Sequence, residues 1–92
     1  MIVEINHWKP CDASWDYDIK FLGKDEFGIR HFETDGISEH FKLCEPGTNE
    51  SDKLDGPYLA RIDVAMAGGY ERALKTALWI RECCNSHEIP TA

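Results

Sequence analysis

The sequence predicts an α+β domain: an antiparallel β-meander of four to five strands with one C-terminal helix packed on one face of the sheet. Three observations carry this expectation. Trp15, Tyr17, Ile19 and Phe21 alternate with Asp16, Asp18 and Lys20, the period-2 pattern of a strand with one buried and one wet face. Glycine-containing turn signals separate this run from the apolar segments that follow it. Further on, Tyr70, Ala73, Leu74, Ala77, Leu78, Arg81 and Cys84 recur at i, i+3, i+4 and i+7, the spacing of a helix with one apolar stripe.

Taken in chain order, residues 2–8 (Ile2-Val3-Glu4-Ile5-Asn6-His7-Trp8) begin rich in β-formers, and Lys9-Pro10-Cys11-Asp12 ends the run because proline cannot donate to a ladder. The alternating segment from Trp15 to Phe21 forms the second strand. Gly23-Lys24-Asp25-Glu26-Phe27-Gly28 reads as a hairpin loop, from which Ile29 to Thr34 returns antiparallel. Asp35-Gly36 is a type I′ hairpin signal, a turn in which both central positions take φ > 0. Ile37 to Cys44 follows as a fourth strand, with Ile37, Phe41 and Leu43 on one face.

Residues 45–56 hold turn formers and almost nothing apolar, the composition of an acidic surface loop. Beyond it, Tyr58, Ala60, Ile62 and Val64 alternate with Leu59, Arg61 and Asp63 as a fifth strand. Tyr58, Leu59, Ile62, Ala65 and Met66 also fit a helical stripe with Pro57 at its first position, so strand and helix compete here. Gly68-Gly69 punctuates the chain before the helix over 70–86, whose end is marked by Asn85 and Pro90.

With 92 residues, 42% of them hydrophobic and 11% aromatic, the chain reads as a single domain spanning 1–92. A domain of this size buries roughly 60–65% of its unfolded surface. The mean hydropathy of −0.45 fits a protein in water, and no apolar stretch approaches the ~20 residues needed to cross a bilayer. Met1-Ile2-Val3-Glu4 lacks the basic and apolar regions of a signal peptide. The expectation is a cytoplasmic protein, of a cell or an infected host, with no membrane association and with its four cysteines as reduced thiols. Cys83 and Cys84 are adjacent on a helix and point about 100° apart, which opposes a bond between them.

Charge is unevenly distributed. Residues 1–57 carry thirteen acids against six bases, the whole of the net −7, whereas residues 58–92 balance. Direct binding of nucleic acid needs clustered Lys and Arg, which this sequence lacks. A helix across the face carrying Trp15, Tyr17, Ile19 and Phe21 leaves the acids on the opposite face and in the loops. The candidate partner-binding residues are therefore Asp16, Asp18, Asp25, Glu26, Glu50 and Asp52. Residues i and i+2 of a strand lie about 6.6 Å apart, so Asp16 and Asp18 are spaced like successive phosphates, as in a DNA mimic. The competing reading is that acids keep a small domain soluble. From the helix, projection at 100° per residue sets Trp79 opposite the Ala73 and Ala77 stripe, with Arg72, Lys75, Thr76 and Cys83 beside it. Trp79 and Arg72 are the candidate anchors, with Trp8 and Phe32 as further exposed aromatics.

Three Cys/His pairs stand four residues apart: His7 with Cys11, His40 with Cys44, and Cys83 with His87. That spacing shares an ion on a helix, as for Cys83 with His87, but covers about 13 Å along a strand, which opposes His40 with Cys44 and leaves His7 with Cys11 only if the chain turns at Pro10. With no C-x₂-C knuckle, no metal or other cofactor is expected. No Gly-rich phosphate loop and no nucleophile with a base and an oxyanion hole is recognisable, so no enzyme is expected either. What remains is a small acidic protein-binding module, an inhibitor occupying a basic surface of a nucleic-acid-handling complex. Size and charge of this kind are common among phage-encoded inhibitors of host defence, including anti-CRISPR proteins, an analogy of class that no motif carries. The alternatives are a small metal-stabilised or thiol-bearing regulatory domain built on Cys11, Cys44, Cys83 and His87, and a hydrolase using Asp16 and Asp18.

Overall fold

The computed structural model describes residues 2–11, 19–45 and 58–86. Among them, five strands form one sheet: β1 (Glu4–Pro10), β2 (Lys20–Lys24), β3 (Arg30–Thr34), β4 (His40–Cys44) and β5 (Ala60–Asp63). A short helix α1 (Val64–Ala67) and a long one, α2 (Tyr70–Ser86), follow. The sheet is mostly antiparallel with the C-terminal helix packed on it, so the expected α+β class holds.

The strand order, β2-β3-β1-β4-β5, is not that of a meander. β1 is inserted between β3 and β4, parallel to the former and antiparallel to the latter. Burial explains the choice, because the continuous run Ile5, Asn6, His7, Trp8 is buried on both faces, as suits a central strand. The Asp35-Gly36 hairpin is corrected with it. Gly36 has φ +74°, but no non-glycine residue among those described has positive φ, so the type I′ turn is absent and the segment steps across β1 instead. The competition at 58–66 resolves in sequence: β5 ends at Asp63, and α1 begins at Val64. That single turn stops at Gly68, whose φ of +93° suits glycine, with Gly68 N–H donating to Ala65 O and Gly69 N–H to Val64 O.

Register divides the side chains between two faces. On one, Val3, Ile5, Ile29, Phe41 and Leu43 form an aliphatic-aromatic cluster sealed by Ala73 and Ala77 of α2, with Leu74, Leu78, Ile80 and Cys84 packed at its margin. Two hydrogen bonds fix the helix over it, from Val3 N–H to Asn85 Oδ1 (2.9 Å) and from Arg81 to Phe27 O (2.7 Å). Each large apolar side chain buried this way contributes about 1.5–3 kcal/mol.

The opposite face departs from expectation. Phe21 lies there, in register with Phe32, and not beneath the helix. Trp8 and Phe32, expected to be exposed anchors, are fully buried and stacked with centroids 4.6 Å apart, while Phe21 tilts against Phe32 at 5.2 Å. Nor do the described residues of this face form a wet acidic surface. Asn6, Lys42, His40 and Thr34 are buried on it, Arg30 donates to Asn6 Oδ1 and pairs with Glu4, and the Lys42 ammonium stands over the Tyr58 ring. Asp16 and Asp18, with Trp15 and Tyr17, lie outside the described residues. Among the described residues no helix is long and apolar enough to cross a membrane.

Candidate functional site

The helix-covered face turns polar at one end. Pairing of β1 with β3 sets His7 directly opposite His31, and partners in register share a face. Their Nδ1 atoms are 2.9 Å apart. Each Nε2 meets a carboxylate, His7 that of Glu39 at 2.7 Å and His31 that of Asp25 at 2.8 Å. The result is a continuous chain, Asp25–His31–His7–Glu39, that joins the β2–β3 turn, β3, β1 and the segment leading into β4.

Local sequence builds the outer links. Asp25 opens a turn whose Phe27 and Ile29 N–H groups both donate to its Oδ1, at 2.9 and 3.0 Å, leaving Oδ2 for His31. Burial raises the Asp25 carboxyl, but the hydrogen bonds from His31, Ile29 and Phe27 together outweigh it and hold the group below its ordinary value. For His7, burial pushes the ring below its ordinary value first; the hydrogen bond to Glu39 opposes this, and the neighbouring His31 adds to it. The Phe41 and Tyr70 rings flank His7, with centroids at 4.8 and 5.3 Å. The Tyr70 hydroxyl is pushed up by burial and then by the charges of Asp25 and Glu39.

An open cleft of about 450 Å³ lies over this chain, lined by His7, His31, Asp25, Glu39, Lys9, Lys24, Leu22, Gly23 and Tyr70. Lys9 pairs with Glu33 at 3.3 Å. All four ring nitrogens of His7 and His31 are engaged within the chain, so none is left to take a proton from a molecule in the cleft without breaking a link.

The second candidate surface is the outer side of α2. Trp79 is 67% exposed there, and Met66 on α1 is 87% exposed. Arg72 lies two turns before Trp79, about 10 Å along the axis, and its side chain runs over Gly68. Lys75 and Glu71 form a loose, exposed pair at 3.9 Å, and Thr76 donates to Arg72 O.

The residues singled out from sequence therefore separate. Trp79 and Arg72 share the outer side of α2. Asp25 and Glu26 sit on the β2–β3 turn, with Glu26 exposed and Asp25 committed to His31. Asp16, Asp18, Glu50 and Asp52 lie outside the described residues. The described residues carry ten acids against nine bases, a net −1, so the remaining −6 belongs to residues outside them. His7, His31 and Glu39 were not singled out as a set. Only the parallel pairing of β1 with β3 brings the two rings together across 24 positions.

None of the four cysteines forms a disulfide. Cys44 is opposite Glu4 in the β1–β4 register, whereas Cys11 follows the far end of β1, about 23 Å away at 3.3 Å per residue. These two cannot share an ion. β1 stays extended through Pro10, which likewise separates His7 from Cys11. His40 donates Nδ1–H to Ser38 O, and Cys44 accepts from the Asn6 amide. His87 lies outside the described residues, and among those described no three His, Cys, Asp or Glu side chains are placed to hold a metal.

Comparison with protein-family models, with curated proteins and with solved structures found no match for this chain.

Proposed function

We propose that this chain is a non-catalytic protein-binding module that docks through the outer side of α2, with Trp79 as anchor and Arg72 two turns away on the same side. One observation carries the reading: Trp79 is 67% exposed on a 17-residue helix whose other side is already engaged with the sheet. Trp and Arg are enriched among interface anchors, and a central one contributes roughly 2 kcal/mol or more. The absence of catalysis is supported by the histidine chain, whose nitrogens are spent on one another and on carboxylates.

Charge argues for the partner's chemistry. Residues 12–18 and 46–57 together hold six acids and one lysine, an excess that attracts a basic surface and raises the rate of encounter. A protein that handles nucleic acid presents such a surface, and a module seated on it acts as an inhibitor. The test uses the full chain as bait in extracts of its native host, at low and moderate salt, beside Trp79→Ala. Wild type is expected to retain a basic protein at low salt and release it as salt rises. Trp79→Ala is expected to lose at least tenfold in retention at an unchanged unfolding midpoint. Equal retention by both baits overturns docking through α2, and retention indifferent to salt overturns the basic partner.

A further inference from the structure

We infer that the chain Asp25–His31–His7–Glu39 is a pH-gated clasp, closed only when its four ring nitrogens carry three protons, and that it ties β1, β3, the β2–β3 turn and the approach to β4 together. The inference does not depend on docking through Trp79. It follows from counting protons. A ring nitrogen that faces a carboxylate at 2.7 or 2.8 Å must donate, so both Nε2 atoms are protonated. The contact between the two Nδ1 atoms at 2.9 Å is a hydrogen bond only if one of them is protonated and the other is bare. Three protons on four nitrogens means one imidazolium and one neutral ring. His7, the more deeply buried ring, is flanked by Phe41 and Tyr70, while His31 faces Asp25.

Either departure opens the clasp. A fourth proton sets two N–H groups head to head at the Nδ1 contact. Loss of the shared proton leaves two lone pairs facing each other. The other groups around the pair reinforce the window: Asp25 and Glu39 hold its positive charge, Lys9 of β1 is neutralised by Glu33 of β3, and Lys24 of β2 stands at the cleft. From α2, Tyr70 keeps its hydroxyl proton through the neutral range, and from β4 the apolar Phe41 ring faces His7. Opening also frees Glu39, whose carbonyl accepts the first N–H of α1 from Val64 at 3.1 Å and whose side chain borders a second hollow lined by Arg61, Asp63 and Met66.

The sign of the pH dependence is fixed by comparison with unfolded histidine, which titrates near pH 6.5. Below that value the unfolded pair binds four protons against three in the clasp, so stability falls as pH falls. Above it the unfolded pair binds two, so stability falls again as pH rises far enough to remove the shared proton. The contribution of the clasp is greatest near pH 6.5, and on either limb the unfolding constant rises by up to about tenfold per pH unit for each proton exchanged. Because His40 is also lowered by burial and shares in the acid limb, the alkaline limb and the ring nitrogens themselves discriminate. In ¹⁵N-labelled full chain near pH 6.5, three of the four nitrogens of His7 and His31 are expected to be protonated, with the two rings titrating as one unit. Denaturant unfolding should show both limbs, and Glu39→Gln, which keeps the acceptor but removes its charge, should move the alkaline limb to lower pH. Independent titration of the two rings, a flat profile between about pH 6.5 and 9, or an alkaline limb unmoved by Glu39→Gln overturns the clasp.

Discussion

On the inner side of α2 the fully buried residues are Ala73 and Ala77, among the smallest the helix contains, while its largest side chain, Trp79, stands on the outer side in water. Small residues inward let the helix backbone approach Ile5, Phe41 and Leu43 closely, which seals the core without a bulky contribution from the helix itself. An indole outward contributes nothing comparable to folding. The two sides of one helix therefore differ in what they meet: the inner answers to packing, and the outer is the side proposed above to meet a partner.

The comparison breaks most readily on the inner side. Phe41→Ala removes the ring that α2 and Tyr70 cover and is expected to cost about 3–5 kcal/mol in denaturant unfolding. Ala77→Leu, at a position with no exposed surface, should cost about 1–3 kcal/mol by forcing the helix off the sheet. Acidification is next. His7 and His40 are both held below the ordinary histidine value, first by burial, so the unfolded state binds more protons and stability declines as pH drops through about 6.5. Asp25, held low, gives stability that is present above its ordinary value and is lost as pH falls through its folded value. Unfolding midpoints measured between about pH 7 and 3 should thus fall in two stages. The smallest effect is expected from Trp79→Ala, within about 0.5 kcal/mol of wild type. A loss as large as that of Ala77→Leu would show that the outer side is also packed.

Much of this division was legible in the sequence. The period of 3.6 across Ala73, Leu74, Ala77 and Leu78 gives both the helix and its inner side, and the same projection sets Trp79 outside. The sheet was less legible. His40-Phe41-Lys42-Leu43-Cys44 alternates like a strand with one wet face, yet all five residues are buried. Alternation reports which residues share a face and not whether that face meets solvent. Asp35-Gly36 likewise marks a turn correctly without saying that the chain passes over β1 before pairing. His7 and His31 were hidden for the same reason, since a meander never lays the first and third strands side by side.

The central claim is that the outer side of α2 is a docking surface, and Trp79 itself can report on it. Fluorescence emission of the full chain, titrated with the captured partner at low salt, should shift to the blue as the exposed indole loses water, and Trp79→Phe should abolish the shift. Binding with no shift, or a shift that survives in Trp79→Phe, would contradict the claim.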